Sequence, residues 1–422
     1  MSPKSFGKNV LCILLEAQAM RLRKRNSFKV VAVAGSVGKT STKLAIAHTL
    51  SSSRRVIYQE GNYNDRLTVP LVLFGQTLPA LTNVLAWVKI LLANERIIRH
   101  SFPYDVAVLE LGTDGPGQIA QFAYLNPDLS IVTAITPEHM EFFKTLDAVA
   151  TEELGVLQYS MQTLVNIDDC PSHYLDGKKV QTYGLDKKAD FRVTSWNSRG
   201  LSGLTMKMKL GEEIVTLKSP MLGLAGTKIT SVTAAVASLI GMKKTQIVGA
   251  LAVLPPTPGR MQILTGVHNC ILIDDTYNAN PTAVKAALDV LYSVKASKRI
   301  AILGSMNELG DYSPDAHREV GVYCDPKAID LVVTIGKQAR DYLAPAAREA
   351  GCLVKMFMDP FAAGAFVKSE LIAGAVVLGE GSQNGVFAEE AIKQLLLHAD
   401  DSTKLVRQSP YWLKQKRRQF TS

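Results

Sequence analysis

The amino-acid sequence predicts an α/β protein: a central P-loop domain with a mainly parallel sheet, followed by a C-terminal Rossmann-like domain. Three observations carry this prediction. Short apolar runs typical of buried strands alternate with helical stretches, a glycine-rich loop joins the first such strand to a helix, and the alternation restarts after a proline-rich segment. The chain has 422 residues, more than a single hydrophobic core usually holds, so two or three domains are expected.

The N-terminal segment, residues 1 to 28, has the pattern of an amphipathic helix from residue 4 to residue 26 with a basic end. Its apolar run, Val10 to Leu15, is too short to cross a bilayer, which needs about 20 such residues. The run lacks the small-residue cleavage site of a secretory signal. We expect this helix to pack on the body of the protein, and peripheral contact with a membrane or another protein is the alternative.

The central domain is predicted for residues 29 to 257. Its apolar strands are separated by helical stretches, which is typical of a parallel sheet covered on both faces. Residues 190 to 218 alternate in polarity around short turns, so antiparallel strands are expected there. The other predicted elements are a strand at Lys29 to Ala34, a helix at Lys39 to Leu50, and strands at Tyr104 to Leu111 and Leu129 to Ile135.

The C-terminal domain is predicted for residues 258 to 422, which include a basic tail. The segment from Pro255 to Gly259 contains three prolines and breaks any helix, so it marks the boundary. Beyond it, each apolar run is followed by a helical pattern, as in a Rossmann-like fold. The predicted strands are Cys270 to Asp274, Arg299 to Leu303, Leu331 to Ile335 and Ala375 to Gly379.

Composition and charge narrow the partners and the compartment. The net charge of +9 is compatible with nucleic acid, an anionic membrane or polyanionic small molecules, but no aromatic and basic motif supports a nucleic-acid partner. The five cysteines are scattered and never form a C-x-x-C pair, which argues against a disulfide framework and a zinc site. We therefore expect a cytoplasmic protein that acts on small molecules.

The strongest local signal is a phosphate-binding loop between the first strand and the first helix. Its glycines let backbone amides turn toward phosphate oxygens, and the helix N-terminus adds its dipole. Lys39 supplies a positive charge and Thr40 a hydroxyl for Mg²⁺. Val33 stands where the first glycine of the usual pattern would lie, so the loop is shorter than usual. The candidate nucleotide-binding residues here are Gly35, Ser36, Gly38, Lys39, Thr40 and Ser41.

Two further residues follow predicted strands and suit a metal site. Glu110 ends an apolar strand, where a carboxylate is costly unless it is paired or bound to a metal. His139 follows the next strand, and its neighbours in the sequence make it a candidate metal or substrate ligand. With Lys39, these residues are the predicted catalytic group, and Thr40, Glu110 and His139 are the predicted metal ligands.

These segments, in this order, resemble the Mur ligases of peptidoglycan synthesis. The resemblance covers roughly residues 29 to 400. Besides the phosphate loop, Glu110 and His139, it includes the segments Gly61 to Asn64, Pro258 to Arg260, Asp274 to Pro281, Gly304 to Gly310 and Gly381 to Asn384.

The resemblance implies an ATP-dependent ligase that forms an amide bond through an acyl phosphate, with ATP and Mg²⁺ as cofactors. It implies a muramoyl peptide and D-alanyl-D-alanine as substrates. Lys39 would hold the β- and γ-phosphates, Thr40 and Glu110 one Mg²⁺, and His139 a second. From the other domain, Arg260 and Asp275 would contact the phosphate and ribose of the nucleotide, with Asn278 and Asn280 lining the cleft.

The sequence departs from the family pattern at several positions. The family carries a carbamylated lysine where alignment places Glu153, and a glutamate could supply similar oxygens, so Glu153 joins the predicted catalytic group. Ala134, Thr227 with Lys228, and Glu380 stand where the family has other residues. The family's N-terminal UDP-binding domain has no counterpart before Lys29, so another protein or the basic helix would compensate, or the acceptor differs.

Two alternatives therefore stay open. One keeps the chemistry and changes the acceptor, as folylpolyglutamate and cyanophycin synthetases do on related scaffolds. The other is a nucleotide-binding scaffold without turnover, which the substitutions at Glu153, Thr227 and Glu380 favour. Lys39 and Glu110, both present, argue against it.

Overall fold

A computed structural model describes residues 3–61 and 63–420. Asn62, which belongs to the motif from Gly61 to Asn64, lies outside the described residues, as do the two residues at each end of the chain. Two β-sheets, flanked by helices, organise the chain.

The first sheet has nine strands in the order β2-β3-β1-β4-β5-β6-β7-β8-β9. Neighbours from β2 to β7 pair in parallel, and β7, β8 and β9 pair antiparallel. The elements of this half are α1 (Pro3–Arg25), β1 (Lys29–Ala34), α2 (Lys39–Ser51), β2 (Val56–Tyr58), α3 (Thr68–Leu73), α4 (Val84–Arg99), β3 (Val106–Glu110), β4 (Leu129–Val132), α5 (Met140–Phe143), α6 (Leu146–Glu153), β5 (Thr163–Asn166), β6 (Gln181–Gly184), β7 (Phe191–Ser198), β8 (Leu204–Leu210), β9 (Glu213–Ser219), α7 (Gly223–Leu239) and α8 (Lys244–Ala252).

The strand β1 lies inside the first sheet, between β3 and β4, and is covered by helices on both faces. Every residue after Lys29 in this strand is buried and is a valine or an alanine, as suits a parallel strand between two helical layers. Val31 and Val33 face a core shared with α2 and α7, whereas Val30 and Ala32 face a core shared with α1 and α3. The predicted bounds of β1 are confirmed.

The antiparallel group predicted for residues 190 to 218 is confirmed as β7, β8 and β9. These strands extend the parallel sheet, because Tyr183 and Gly184 of β6 pair with the start of β7. The short strands β2, β5 and β6 were not predicted, since three or four residues leave too little periodicity to recognise.

The second sheet has six strands in the order β10-β11-β15-β12-β13-β14, and all pairs are parallel except β10 with β11. The predicted bounds of β13 are confirmed, and those of β11, β12 and β15 differ by one residue at one or both ends. The elements of this half are β10 (Gln262–Thr265), β11 (Ile271–Asp275), α9 (Pro281–Ser293), β12 (Arg299–Gly304), α10 (Ser313–Tyr323), β13 (Leu331–Ile335), α11 (Ala344–Glu349), β14 (Val354–Phe357), α12 (Pro360–Glu370), β15 (Val376–Glu380), α13 (Glu389–Leu395) and α14 (Pro410–Phe420).

The two halves touch at the segments that follow β4 and β12, and again between α7 and α9. Gly310 lies so close to α5 that an added Cβ would be 3.1 Å from the Cα of Glu141. Gly223, at the start of α7, leaves no room for a Cβ beside Val290 of α9. The predicted boundary after residue 257 falls between α8 and β10, and the limits of the domains stay a prediction.

Candidate active site

The phosphate loop lies between β1 and α2 and requires glycine at its first position. The φ angle of Gly35 is +115°, and an added Cβ would lie 2.7 Å from the backbone nitrogen of Thr133. The loop is pinned to the segment after β4, because the Ser36 amide donates to the carbonyl of Ala134 at 2.9 Å. The Ser36 hydroxyl accepts a hydrogen bond from the Thr136 amide at 3.1 Å. Gly38 and Ser41 lie at the start of α2.

Glu153, at the end of α6, forms a hydrogen bond with the backbone of the phosphate loop. Its Oε2 accepts a hydrogen bond from the Gly35 amide at 2.6 Å, and its side chain is buried. Burial raises the pKa of Glu153 to about 7, although the nearby charge of Lys39 lowers it. This hydrogen bond makes Glu153 an anchor of the loop, and its predicted contact with a metal stays a prediction.

The ammonium group of Lys39 is held by a carboxylate that was not predicted. Its Nζ lies 3.1 and 3.2 Å from the two carboxylate oxygens of Glu138, the residue before His139. Burial lowers the pKa of Lys39, but the charges of Glu138, Glu153 and Glu110 more than offset that effect, so the pKa lies above its ordinary value. Lys39 therefore stays protonated at the position where a phosphate would bind.

Glu110, at the end of β3, collects three side chains. Its Oε1 accepts hydrogen bonds from the Thr40 hydroxyl and the Asn64 amide, each at 3.2 Å. Its Oε2 lies 3.2 Å from the Nζ of Lys43, and both side chains are almost fully buried. Burial raises the pKa of Glu110, but the charges of Lys43 and Lys39 outweigh it, so the pKa is lowered.

These oxygens fit a magnesium ion. The Thr40 hydroxyl and Glu110 carboxylate are hard donors beside the phosphate loop, the ligands that Mg²⁺ prefers together with waters and substrate phosphates. Within residues 3–61 and 63–420, no three acidic, histidine or cysteine side chains converge to bind a metal on their own. A metal here would therefore share its coordination with the nucleotide.

His139 lies between the two halves of the molecule. Its Nδ1 is 3.1 Å from Oε2 of Glu308, which follows β12. Its Nε2 faces Glu138 at 3.6 Å and Asp114 at 3.8 Å. Burial lowers the pKa of His139, but the hydrogen bond with Glu308 and the charges of Glu308 and Glu138 raise it above the ordinary value.

The second half contributes a cationic and an acidic group to the same cleft. The guanidinium of Arg260 lies over the ring of Tyr277, 4.3 Å from its centroid, and is close enough to Lys43 to add to the effect of burial in lowering the Lys43 pKa. Asp275 accepts a hydrogen bond from the Met261 amide at 3.0 Å. Burial raises the pKa of Asp275 to about 6, and the charge of Arg260 limits that rise.

Comparisons with known proteins decide the family. Residues 96–239 match the family model described as Mur ligase middle domain, and residues 259–383 match the one described as Mur ligase, glutamate ligase domain. A ligase from Haemophilus influenzae, named UDP-N-acetylmuramoyl-tripeptide-D-alanyl-D-alanine ligase, is 30% identical over 338 residues, 78% of this chain and 68% of that protein. The chain belongs to the Mur ligase family.

Other relatives agree with this assignment. The Escherichia coli protein of the same name is 29% identical and the alignment covers 75% of this chain and 67% of that protein. The chain thus spans about two thirds of these relatives' length, and 63% of the Bacillus subtilis one.

Solved structures share the fold of this Mur ligase. MurF from Acinetobacter baumannii aligns with a TM-score of 0.76 at 22% identity, over 92% of this chain and 80% of that one. MurF ligase from Thermotoga maritima, solved with ADP, aligns with a TM-score of 0.72 at 21% identity, over 93% and 84% of the two chains.

Asn278 and Asn280, both expected to line the cleft, have different surroundings in the structure. The Asn280 side chain caps α9, because its Oδ1 accepts a hydrogen bond from the Ala283 amide at 2.9 Å. It therefore orders the helix start, and its contact with nucleotide stays a prediction. Asn278 is partly exposed on the loop before α9.

The departures from the family pattern also have local partners. Lys228 forms an ion pair with Asp169 at 2.6 Å, and Thr227 is fully buried in α7. Glu380, which ends β15, is fully buried and pairs in register with Asp275 of β11. Burial and the neighbouring Asp275 raise the pKa of Glu380 well above its ordinary value.

Several site residues were missed from the sequence, and one of them had a recognisable signal. Lys43 lies four residues after Lys39, one helical turn away on the same side of α2. Glu138 and Glu308 had no such signal, because their partners are distant in sequence or in the other half. Arg407 was also missed, and it donates hydrogen bonds to the backbone carbonyls of Thr276 and Tyr277, which orders the loop after β11.

Proposed function

We propose that this Mur ligase joins D-alanyl-D-alanine to a UDP-linked muramoyl tripeptide at the expense of ATP. The observation that carries the proposal is the cleft itself, where the phosphate loop, Glu110 and His139 of one half face Arg260 and Glu308 of the other. The curated relatives from Haemophilus influenzae and Escherichia coli have this activity in their names.

The reaction needs two steps that balance in atoms and charge. An oxygen of the acceptor carboxylate attacks the γ-phosphorus of ATP, ADP leaves, and an acyl phosphate forms. The amine then attacks the acyl carbon, inorganic phosphate leaves with the former carboxylate oxygen, and the nitrogen loses a proton. The amide bond is the product, and the energy of the phosphoanhydride drives its formation.

The main obstacle to the first step is repulsion between two anions. Lys39 stays protonated in its acidic surroundings, so it can offset the charge on the γ-phosphate once that group displaces Glu138. The amides at the start of α2 have no capping side chain, so they would donate to a phosphate bound in the loop. Thr40 and Glu110 would hold Mg²⁺, which supplies Lewis-acid stabilisation of the phosphoryl oxygens when bound.

His139 and Glu308 would orient the acceptor end of the site. A carboxylate on Nδ1 fixes the imidazole, and Nε2, which faces Glu138 and Asp114, would turn toward a metal or the acceptor when one binds. Because the two residues come from different halves, the arrangement is complete only when the halves are closed. Closure also excludes water, which would otherwise hydrolyse the acyl phosphate.

The nucleotide would extend from the phosphate loop toward the second half. Arg260 lies close enough to Lys43 to lower its pKa, so its guanidinium suits a phosphate oxygen at this end of the cleft. Asp275 offers a carboxylate beside it that suits the ribose hydroxyls. The loop from Asp275 to the start of α9 is ordered at two points: Arg407 donates to the carbonyl of Tyr277, and Asn280 caps α9.

A second candidate keeps this chemistry and changes the acceptor. Glu380 favours it, because a buried carboxyl group stands at a position where the family has a lysine. The phosphate loop, Glu110 and His139 would act in the same way. A scaffold without turnover remains the third hypothesis. In each case we expect the protein to act in the cytoplasm.

Phosphate release separates the three hypotheses. Mg-ATP is supplied with no acceptor, with UDP-muramoyl-tripeptide, with D-alanyl-D-alanine, and with both, and Lys39→Ala serves as the blank. The proposal expects release only with both, and a product heavier than the acceptor by one dipeptide residue. In a further set of reactions another amino-acid or peptide carboxylate replaces UDP-muramoyl-tripeptide, and release only in that set would establish a changed acceptor. Tight ATP binding without release under any condition would establish a scaffold.

A further inference from the structure

The helices α1 and α4 pack side by side on the outside of the first sheet. Cys12 and Leu15 of α1 share a small core with Trp87 and Ile90 of α4. Farther along, the Gln18 amide donates to the carbonyl of Leu91 at 2.9 Å. The contacts on both helices therefore advance from the N-terminus toward the C-terminus together, so α1 and α4 run parallel to each other.

The outer side of α1 is apolar, although the helix was predicted to be amphipathic. Its inner side packs on the body through Cys12, Leu15, Ala19 and Leu22. The opposite side presents large apolar side chains at helical spacing, and Phe6 is 64% exposed. The residues of this outer stripe are Phe6, Val10, Ile13, Leu14 and Met20.

The outer side of α4 repeats this pattern. Trp87, Ile90 and Ile98 point inward, while a second stripe of large apolar side chains faces solvent. Leu85, in the first turn of α4, is 76% exposed, and Leu92, two turns later, is 59% exposed. The stripe, with the loop before the helix, comprises Leu78, Leu81, Val84, Leu85, Val88 and Leu92. We call the two stripes together the α1–α4 face.

Charges around the α1–α4 face are mainly basic. Each helix carries one acidic residue among those described, and each is paired: Glu16 with Arg66 and Glu95 with Arg21. Exposed basic residues gather where both helices end, and Lys89 lies between. These residues are Lys24, Arg25, Arg96 and Arg99.

We propose that the α1–α4 face binds the surface of an anionic membrane. Apolar side chains at helical spacing, flanked by lysine and arginine, are the chemistry by which helices lie in a lipid interface. The helices would lie in the plane of the membrane and not across it: none of the helices described is long and apolar enough to span a bilayer. Charge complementarity points to an anionic lipid surface, because the exposed charges beside the apolar stripes are basic.

This placement leaves the active site accessible. The basic ends of α1 and α4 each lead into the start of a strand, β1 and β3. The phosphate loop follows the other end of β1, and Glu110 is the last residue of β3. The membrane would therefore contact the side and amino edge of the first sheet, and the cleft would face away from the lipid headgroups.

Vesicle flotation of the full-length protein tests this proposal. Vesicles of phosphatidylcholine alone are compared with vesicles containing equal parts phosphatidylglycerol. The first variant combines Phe6→Ser, Ile13→Ser, Leu85→Ser and Leu92→Ser. Its matched control removes four exposed apolar side chains elsewhere, through Ile214→Ser, Val253→Ser, Val322→Ser and Leu353→Ser.

We expect the wild type and the control to float with the anionic vesicles and far less with phosphatidylcholine alone. The four substitutions in the face should lower partitioning by about tenfold or more, since each removes apolar area from the lipid contact. A charge variant, Lys24→Glu with Arg25→Glu and Arg99→Glu, should lose binding to the anionic vesicles. Circular dichroism would show whether the serine variant folds. If it does not, the charge variant still tests the proposal.

Three results would overturn the proposal. The first is that the wild type does not float with the anionic vesicles. The second is that the serine variant and its matched control lose flotation to the same extent. Concentration-dependent self-association of the wild type in the absence of lipid, abolished by the four substitutions, would assign the face to a second copy of the chain. Analytical ultracentrifugation measures that outcome directly.

Discussion

The Nδ1 atom of His139 lies 3.1 Å from Oε2 of Glu308, and the two residues follow strands of different sheets. Both have left-handed backbones, with φ angles of +48° and +65°, which are costly for residues other than glycine. The contact joins the segment after β4 to the segment after β12. It therefore couples closure of the cleft to the orientation of a predicted metal ligand.

Substitution Glu308→Gln should slow the chemical step more than it weakens binding of ATP. The amide keeps the size of the side chain but loses the charge that holds the imidazole, and such partners of metal ligands typically contribute about tenfold or more. We expect kcat to fall about tenfold with little change in KM for ATP. The affinity for Mn²⁺, followed by electron paramagnetic resonance, should fall too. Glu349→Gln, on the exposed end of α11, is the control, and equal effects in both would contradict the account.

The contribution of this ion pair to stability should depend on pH in a defined window. The pKa of His139 is raised above 6.5, so its contribution is complete below 6.5 and is lost as the pH rises through the folded value. The hydrogen bond with His139 lowers the pKa of Glu308 below 4.5, so its contribution is complete above 4.5 and is lost as the pH falls through the folded value. The pair is therefore strongest between pH 4.5 and 6.5.

Urea unfolding of the wild type and Glu308→Gln across this range measures the window. The difference in the free energy of unfolding should be greatest between those limits, and at most about 1 kcal/mol, because Glu308 is 38% exposed and screened by solvent. A difference that grows above neutral pH would contradict the assignment of the two charges.

Substitution Lys43→Met should destabilise the first half and impair catalysis. It leaves the carboxylate of Glu110 buried without its cation, which typically costs about 3 kcal/mol or more in the free energy of unfolding. Lys43→Met combined with Glu110→Gln should recover most of that stability without recovering activity, since the predicted metal ligand is lost. Thermal and urea unfolding measure the first effect, and phosphate release measures the second. Additive losses in the double variant would argue against a direct pair.

Substitution Gly35→Ala should abolish activity through the backbone of the phosphate loop. The methyl group would collide with the backbone of Thr133 and Ala134, and the φ angle of +115° is unsuitable for alanine. Gly177→Ala is the matched control, because its φ is also positive but nothing lies within 4 Å of the added methyl. We expect the control to lose only about 1 kcal/mol of stability and to keep its activity. Retained activity in Gly35→Ala would show that the loop does not need this geometry.

The limits of a strand were predictable where glycine or a charged residue in the sequence ends an apolar run. The strand β1 is an unbroken apolar run that Gly35 ends, and β13 is bounded by Asp330 and Gly336, so their limits follow from local signals. The strands β2 and β14 have three and four residues, with neighbours that decide their pairing, and no local pattern identifies them.

The site was predictable in part, for a physical reason. Lys39, Thr40 and Glu110 follow from the local requirements of a phosphate loop and a strand end, and the structure brings Thr40 and Glu110 together. The contact of Glu153 with Gly35 depends on how α6 packs under the loop, 118 residues along the chain, and periodicity does not reveal such packing. The contact between His139 and Glu308 depends on the meeting of the two halves.

Transfer of a labelled oxygen tests the central claim most directly. The acceptor carboxylate of UDP-muramoyl-tripeptide is enriched in a heavy oxygen isotope, and the phosphate released with Mg-ATP and D-alanyl-D-alanine is analysed by mass spectrometry, with Lys39→Ala as the blank. Attack of the carboxylate on the γ-phosphorus predicts one heavy oxygen in each phosphate formed with the amide. Unlabelled phosphate, released while the acceptor keeps all of its label, would contradict an acyl phosphate and the ligase that we propose.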